Sequence, residues 1–224
     1  MKFVLSRHGN TFAPGEKAVW VGCRSDLPLV EEGRRQGERL GASLFQAGVT
    51  LAAIYCGPLL RTRAYAEVVA RELGNTLRPM VDDSLTEIDY GDWEGLSNRE
   101  IEERFGGAAL KAWENKSVWP ASAGWHPPEA ELARRIEAFA RDLAQRHAET
   151  DTALAITSNG VLRYFLRLDP AAFEAQLRDR GIKVATGHVC IMEAHGRTYR
   201  VVLWNAEPGA RLFQMAPDSR AGAS

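Results

Sequence analysis

The sequence predicts an α/β domain with a mostly parallel sheet, and three observations support this. Short apolar runs alternate along the chain with longer amphipathic stretches, which is the pattern of strands that alternate with helices. The 224 residues suffice for one ample domain with its own core. Apolar residues make up 45% of the chain and charged residues 25%, a composition that excludes a disordered, collagen-like or coiled-coil protein.

The first half of the chain contains two predicted strand–loop–helix units. The apolar run Phe3–Leu5 predicts a short buried strand that ends at a polar, glycine-containing loop, and Glu31–Gln46 has the spacing of an amphipathic helix. The run Leu51–Cys56 predicts the second strand, and Leu59–Leu73 predicts the helix after it.

The second half of the chain repeats the pattern and then closes with two strands. Glu129–Glu149 predicts a long helix, Ala153–Thr157 a third buried strand, and Val161–Leu168 the helix that follows it. His188–Glu193 and Tyr199–Trp204 predict the two closing strands, which a His-Gly pair separates.

The segment between residues 82 and 128 departs from this alternation. It holds four of the six tryptophans and three prolines but few strand-like runs, so we expect an insertion of loops and short helices that caps one end of the sheet. We therefore predict a single domain over residues 1–215. The small, polar residues 216–224 predict a flexible tail.

Charge and composition limit the partners. The formal net charge of -1 argues against nucleic acid, whose binders usually carry a strong basic excess. No apolar run approaches the length that spans a bilayer. The apolar run near the N-terminus is too short for the core of a signal peptide. Three cysteines without a CxxC pair are typical of reduced thiols. We expect a soluble cytoplasmic protein; the oligomeric state stays open.

The first candidate site is Arg7-His8-Gly9-Asn10-Thr11, directly after the first strand. A neutral imidazole can attack phosphorus, and the planar fork of an adjacent arginine matches phosphate oxygens. Loops at the carboxyl ends of strands form the ligand crevice of α/β sheets. The alternative is a surface loop with a capping role.

The second candidate is Arg61, in the first turn of the helix after strand two. A cation there opposes the helix dipole, unless the arginine and the helix N-terminus share an anion. A solvated arginine is the alternative.

Four acids between residues 87 and 94 form the third candidate: Glu87, Asp89, Asp92 and Glu94. One acid could donate a proton to a leaving oxygen, while the others hold a polar loop.

The fourth candidate is the turn Thr157-Ser158-Asn159-Gly160, between the third strand and its helix. Such a turn can present backbone N–H groups to an anion, here including that of Gly160. The alternative is a helix N-cap formed by Ser158 or Asn159.

The motifs RHGNT, GPLLRTR, LTEIDYGDWEGLS and TSNGVLR, in this order, resemble the histidine phosphatase superfamily, which includes the phosphoglycerate mutases. The resemblance covers most of residues 1–207. It implies a three-layer α/β/α sandwich with a mostly parallel sheet and a cap insertion, and it implies no metal and no organic cofactor.

The resemblance also implies roles for individual residues. His8 corresponds to the nucleophile that accepts the phosphoryl group, and Glu87 to the acid that protonates the leaving group. The remaining predicted residues bind phosphate, and they are Arg7, Arg61, Thr11, Asn10, Asn159 and Gly160.

One position departs from the family pattern. The family usually has a second histidine where this chain has Asn159. An amide can donate hydrogen bonds but carries no charge, so we expect the pocket to bind the phosphoryl group more weakly by roughly 1–2 kcal/mol. His188, at the start of a closing strand, could in principle supply the missing imidazole.

These residues predict hydrolysis of a small phosphorylated metabolite through a phosphohistidine on His8. A phosphoglycerate mutase-type transfer is the first alternative, which the few basic residues of the insertion disfavour. The second alternative is a weak or inactive protein that only binds a phosphorylated ligand, because of Asn159.

Overall fold

The computed structural model describes residues 1–75 and 77–215, so the predicted tail 216–224 lies outside the described residues. In that part of the chain, eight α-helices and six strands follow in the order β1 Lys2–Arg7, α1 Glu31–Gln46, β2 Ala53–Cys56, α2 Leu60–Glu72, β3 Met80–Val81, α3 Asn98–Phe105, α4 Gly107–Lys116, α5 Glu129–Arg146, β4 Thr152–Thr157, α6 Asn159–Leu166, α7 Pro170–Arg178, β5 Val189–His195, β6 Thr198–Ala206 and α8 Ala210–Met215.

The strands form one sheet in the order β3-β2-β4-β1-β5-β6. The pairs β2–β3, β2–β4 and β1–β4 are parallel, whereas β5 pairs antiparallel with both β1 and β6. The predicted mostly parallel sheet is therefore confirmed, with the two closing strands as its antiparallel edge.

Helices cover both faces of this sheet. Alternate residues of β1 point to opposite faces: Phe3 and Leu5 join one buried cluster, and Val4 joins the other. The first cluster takes its helical side chains chiefly from α5, α6 and the 82–128 region, and the second takes them from α1, α2 and α8. This is the layering that the family resemblance implied.

The 82–128 region consists of loops, two 3-10 helices and the short helices α3 and α4. Its tryptophans pack mainly on one another: the Trp93 and Trp125 rings lie 5.1 Å apart and the Trp113 and Trp125 rings 4.8 Å apart, edge to face. All three side chains are buried. They therefore form a core within the cap rather than an open stacking platform.

Three elements escaped the sequence analysis: β3, α7 and α8. Both residues of β3 are exposed, and no residue of α7 is buried, so neither carries a periodic apolar signal. Helix α7 does have a start signal, since Asp169 accepts a hydrogen bond from the Ala172 N–H and Pro170 is its first residue.

Of the helices among the described residues, none has the length and apolar character needed to cross a membrane.

Candidate active site

Three neighbouring strands, β1, β4 and β2, bring three of the four candidate motifs together at their carboxyl ends. In the parallel pair of β1 and β4, Arg7 lies opposite Thr157. The His8 N–H continues this ladder by donating to the Thr157 carbonyl at 3.0 Å. On the other side of β4, β2 leads into α2, which carries Arg61.

A cavity of about 610 Å³ opens at these carboxyl ends. Its walls come from the strand ends, the loop before β5 and the cap. Seven of the eight predicted site residues line it, and they are Arg7, His8, Asn10, Thr11, Arg61, Glu87 and Asn159.

His8 is buried at the floor of the cavity. Its Nδ1 lies 2.8 Å from the Gly9 carbonyl oxygen. Because a carbonyl oxygen can only accept, Nδ1 carries the proton and Nε2 keeps its lone pair. Burial, and then the charges of Arg61 and Arg7, lower the pKa of His8 well below its ordinary value of 6.5. The side chain is therefore a neutral imidazole with Nε2 as the available nucleophile.

Gly9 makes a close contact within the protein. A Cβ at Gly9 would lie 2.2 Å from the Gly33 carbonyl oxygen in α1, so the glycine lets the His8 loop pack directly on that helix. The close approach is to the protein's own backbone.

Two arginines flank His8, and backbone carbonyls hold both. Arg7 Nη1 donates to the Val184 carbonyl at 2.7 Å. Arg61 Nη1 donates to the Ser25 carbonyl at 2.8 Å, and its Nη2 donates to the Gly22 carbonyl at 3.0 Å. Burial lowers the pKa of each guanidinium, while the negative charge of Glu87 opposes that shift. Both keep their charge, since arginine is not deprotonated in proteins.

The N-terminus of α2 is already occupied by a carboxylate of this chain. The Leu60 N–H donates to Asp26 Oδ1 at 2.6 Å. The sequence analysis left open that Arg61 and this helix end share a bound anion, but Asp26 itself binds that helix end.

Glu87 is the acid of its segment that reaches the cavity. Asp89 pairs with Arg24 at 2.9 Å, and Glu94 accepts the Gly22 N–H at 3.0 Å. Asp92 is exposed and does not line the cavity. One acid of the segment therefore lies at the cavity and three lie in structural or surface positions; the proton-donating role of Glu87 stays a prediction.

Backbone groups and a tyrosine fix the Glu87 carboxylate. Its Oε1 accepts the Ile88 N–H at 2.9 Å, and its Oε2 accepts the Gly160 N–H at 3.2 Å. The Tyr90 hydroxyl also bonds to it, and burial followed by the Glu87 charge raises the pKa of Tyr90 well above 10.

Gly160 helps to position the Glu87 carboxylate. A Cβ there would lie 2.4 Å from Glu87 Oε1 and 2.6 Å from the Tyr90 hydroxyl, so a larger residue would displace the Glu87 carboxylate from its position. Gly160 does not line the cavity, and its N–H is engaged by Glu87. A phosphate contact from this N–H would have to break that bond.

Asn159 does not cap a helix. It is the first residue of α6, and the side chain of the preceding Ser158 makes no capping hydrogen bond. Asn159 Oδ1 accepts the Val184 N–H at 2.9 Å instead, which ties the loop before β5 to the end of β4. His188 lies away from the cavity, with its Nδ1 3.2 Å from the Asn205 carbonyl, so no second imidazole stands in for Asn159 among the described residues.

The cavity also contains cations to which the sequence analysis gave no role. Arg163 lies over the Trp113 ring at 4.3 Å and donates to the Trp113 carbonyl, which links α6 to the cap. Burial lowers its pKa to about 10. Its spacing of four residues from Asn159 places both on one helix face, a signal that could have identified it. Lys183, from the loop before β5, is exposed and also lines the cavity.

Comparison with known proteins identifies the family of this chain. The family model described as "Histidine phosphatase superfamily (branch 1)" matches residues 3–207. A 2,3-bisphosphoglycerate-dependent phosphoglycerate mutase of Azorhizobium caulinodans is 33% identical over 132 residues, 58% of this chain and 60% of that protein. The match thus spans about 60% of the relative's length. A sedoheptulose 1,7-bisphosphatase of Saccharomyces cerevisiae is 29% identical over 177 residues, 72% of this chain and 65% of that protein.

Solved structures share the fold. YhfR of Bacillus stearothermophilus is 30% identical and superposes with a TM-score of 0.69, over 90% of this chain and 95% of that one. A mycobacterial glucosyl-3-phosphoglycerate phosphatase, solved with VO3, has a TM-score of 0.75 at 23% identity, over 92% of this chain and 98% of that one.

Proposed function

The chain belongs to the histidine phosphatase superfamily, branch 1, and we propose that it is a cytoplasmic phosphatase that hydrolyses a small phosphorylated metabolite through a phosphohistidine on His8. One observation carries the proposal. His8 is held as a neutral imidazole whose Nε2 is free, inside a cavity that it shares with two arginines and a buried carboxyl group.

In the first step, the lone pair of His8 Nε2 attacks phosphorus, and the bond from phosphorus to the ester oxygen breaks. Glu87, in its protonated form, gives its proton to that oxygen, which leaves as an alcohol. Arg7 and Arg61 neutralise the oxygens of the phosphoryl group during transfer. The Nδ1 proton stays on His8, bound to Gly9.

In the second step, water attacks the phosphorus of phosphohistidine. Glu87, now a carboxylate, takes a proton from that water, and the bond from phosphorus to Nε2 breaks. Inorganic phosphate leaves, and both His8 and Glu87 return to their starting forms.

Asn159 occupies the place where we infer that the family has its second histidine. Here the amide contributes neutral donors, in keeping with the other phosphate-binding residues assigned to this site, Asn10 and Thr11. Gly160 enters the proposal as the residue that positions Glu87.

A mutase is the second candidate, which the similarity to phosphoglycerate mutases favours. A mutase must hold its phosphorylated intermediate long enough to return the group to an acceptor. The cap has four basic residues, Arg99, Arg104, Lys111 and Lys116. Of these, only Arg99 lines the cavity, and it is exposed. The cap therefore adds one cation to those that line the cavity from other segments, which are Arg7, Arg61, Arg163 and Lys183. This small contribution of the cap favours hydrolysis.

Three measurements separate the candidates. A phosphatase releases inorganic phosphate from nitrophenyl phosphate and from metabolite esters, and acid-labile phosphate can be trapped on it. A mutase would instead interconvert 2- and 3-phosphoglycerate faster than it releases phosphate, in a reaction primed by the bisphosphate. A protein that binds phosphorylated ligands but shows neither turnover nor a trapped phosphohistidine would refute the proposed catalysis.

A further inference from the structure

Two asparagine side chains line the cavity beside Arg7 and His8: Asn10 after β1 and Asn159 after β4. An amide can present either its oxygen or its nitrogen to a ligand, and the two choices have opposite consequences for an anion. The surrounding hydrogen bonds determine which end each one presents.

The orientation of Asn10 follows from a backbone group that can only donate. The Asn10 N–H donates to Gln36 Oε1 at 2.8 Å, so the oxygen of Gln36 faces that N–H. The other end of the Gln36 amide, Nε2, then lies 3.3 Å from Asn10 Oδ1 and donates to it. The Thr186 hydroxyl donates to the same Oδ1.

Asn159 is fixed by the same logic. The Val184 N–H can only donate, and it does so to Asn159 Oδ1 at 2.9 Å. The Val184 carbonyl, in turn, accepts from Arg7. One residue of the loop before β5 therefore connects the amide of Asn159 to the arginine next to the nucleophile.

The Oδ1 atoms of Asn10 and Asn159 thus accept hydrogen bonds within the protein, and the Nδ2 atoms remain available to a ligand. The Nδ2 atoms of Asn10 and Asn159 have no hydrogen-bond partner among residues 1–75 and 77–215. Neither atom belongs to the buried polar atoms that lack a partner, so both are accessible to solvent. Each supplies two N–H groups to a cavity that already contains two arginines. Such donors suit the oxygens of an anion and would leave an acceptor unpaired.

We propose that Gln36 and Thr186 are positioning residues, which hold Asn10 with its NH2 group toward the transferring phosphoryl group and so make it the partner of Asn159 in a pair of neutral donors. This rests on the proposed function. Gln36 is well placed for the task because α1 contacts the His8 loop directly, and the Val30 N–H at the start of α1 donates to the Asn10 carbonyl at 3.0 Å.

The test measures the affinity of the purified protein for vanadate by calorimetry, which needs no turnover. Gln36→Glu keeps the acceptor for the Asn10 N–H but replaces the donor to Oδ1 by a second acceptor. Asn10 must then rotate and present its oxygen to the anion. We expect vanadate binding to weaken by about ten- to one-hundred-fold, as for the loss of a hydrogen bond to a charged group.

The carboxylate that Gln36→Glu introduces would itself repel vanadate, so the same substitution is also made in Asn10→Ala. If the effect passes through Asn10, Gln36→Glu costs at most about threefold in that background, because coupled residues are not additive. Equal losses in the two backgrounds would overturn the proposal, as would unchanged affinity in the single variant.

Thr186 provides a second test, which also serves if the Gln36 variants do not fold. Thr186→Val removes the hydroxyl at nearly constant volume and should weaken vanadate binding about threefold to tenfold, whereas Thr186→Ser should restore wild-type affinity. Equal affinities for the valine and serine variants would count against the inference. Wild-type protein that bound no vanadate would overturn the proposed function as well.

Discussion

The inner and outer ends of the cavity are built differently. At the inner end, Arg7, Arg61 and Glu87 are each bound to backbone groups of other segments, and His8 is bound to its own loop. At the outer end, Lys183 and the cap residues Asn98 and Arg99 are exposed.

We expect this difference to separate the residues that transfer the phosphoryl group from the residues that select the substrate. Groups that hydrogen bonds fix before substrate arrives can stabilise a transition state without reorganising, and the phosphoryl group is the part that all phosphomonoesters share. Exposed side chains at the mouth meet the part of the substrate that varies. On the proposed function, we therefore expect the inner end to carry phosphoryl transfer and the outer end to determine the choice of metabolite.

The largest expected effect comes from removing the nucleophile. His8→Ala should lower turnover of any phosphomonoester by at least about a thousandfold and abolish covalent labelling by phosphate, because no other imidazole lies in the described part of the cavity. His188→Ala is the matched control and should retain activity. Turnover near wild type in His8→Ala would place the reaction elsewhere.

Glu87→Gln should divide substrates by their leaving groups. An alkyl phosphate needs protonation of its leaving oxygen, so we expect a loss of about 10²–10⁴-fold in kcat/KM. Nitrophenolate leaves without that help, so its ester should lose far less kcat/KM, which reports the steps through phosphorylation of His8 and not the later attack of water that Glu87 also assists. Asp92→Asn, an exposed acid of the same segment, controls for loss of charge. Equal losses for both substrates would remove Glu87 from the acid role.

Asn159 tests how far the inner end depends on charge. Asn159→Ala should weaken vanadate binding by about tenfold, since a fixed donor to an anion is lost. Asn159→His should strengthen binding only as the pH falls below about 6.5, where the added imidazole takes up a proton. Titrating vanadate at about pH 5.5 and about pH 7.5, on either side of that value, checks both variants. A pH-independent affinity of the histidine variant would contradict this reasoning.

The smallest effect belongs to the outer end. Burial and then the charge of Arg7 lower the pKa of Lys183, but its side chain is exposed. Lys183→Met should therefore change kcat/KM for nitrophenyl phosphate by less than about threefold. Esters with a longer leaving group that reaches Lys183 should show a larger rise in KM. Loss of nitrophenyl phosphate turnover comparable to that of His8→Ala would erase the distinction between the two ends.

Sequence could predict the parts of the site that are local. His8, Arg61 and Asn159 each follow a strand whose apolar run marks it as buried, and the parallel sheet then places these strand ends side by side. The resemblance to a known family supplied the roles of individual residues.

The contacts that sequence could not predict join distant segments. Asp26 covers the start of α2 from 34 positions away, and Val184 meets Asn159 across 25 positions. Neither contact leaves a periodic or compositional signal. Even the role of Gly160 changed with the structure: its turn suggested an anion site, yet its N–H holds Glu87.

The protonation of His8 has a consequence for the whole molecule. In the unfolded chain this imidazole takes up a proton near pH 6.5, whereas in the folded protein burial and two arginines keep it neutral to much lower pH. Between those limits the unfolded state binds more protons, so acid draws the equilibrium toward unfolding. Each pH unit below about 6.5 removes up to about 1.4 kcal/mol of folding stability through this one group. His8→Gln should therefore lose less stability than wild type between about pH 8 and about pH 5, as urea titrations would measure. A neutral nucleophile is maintained at the expense of acid tolerance.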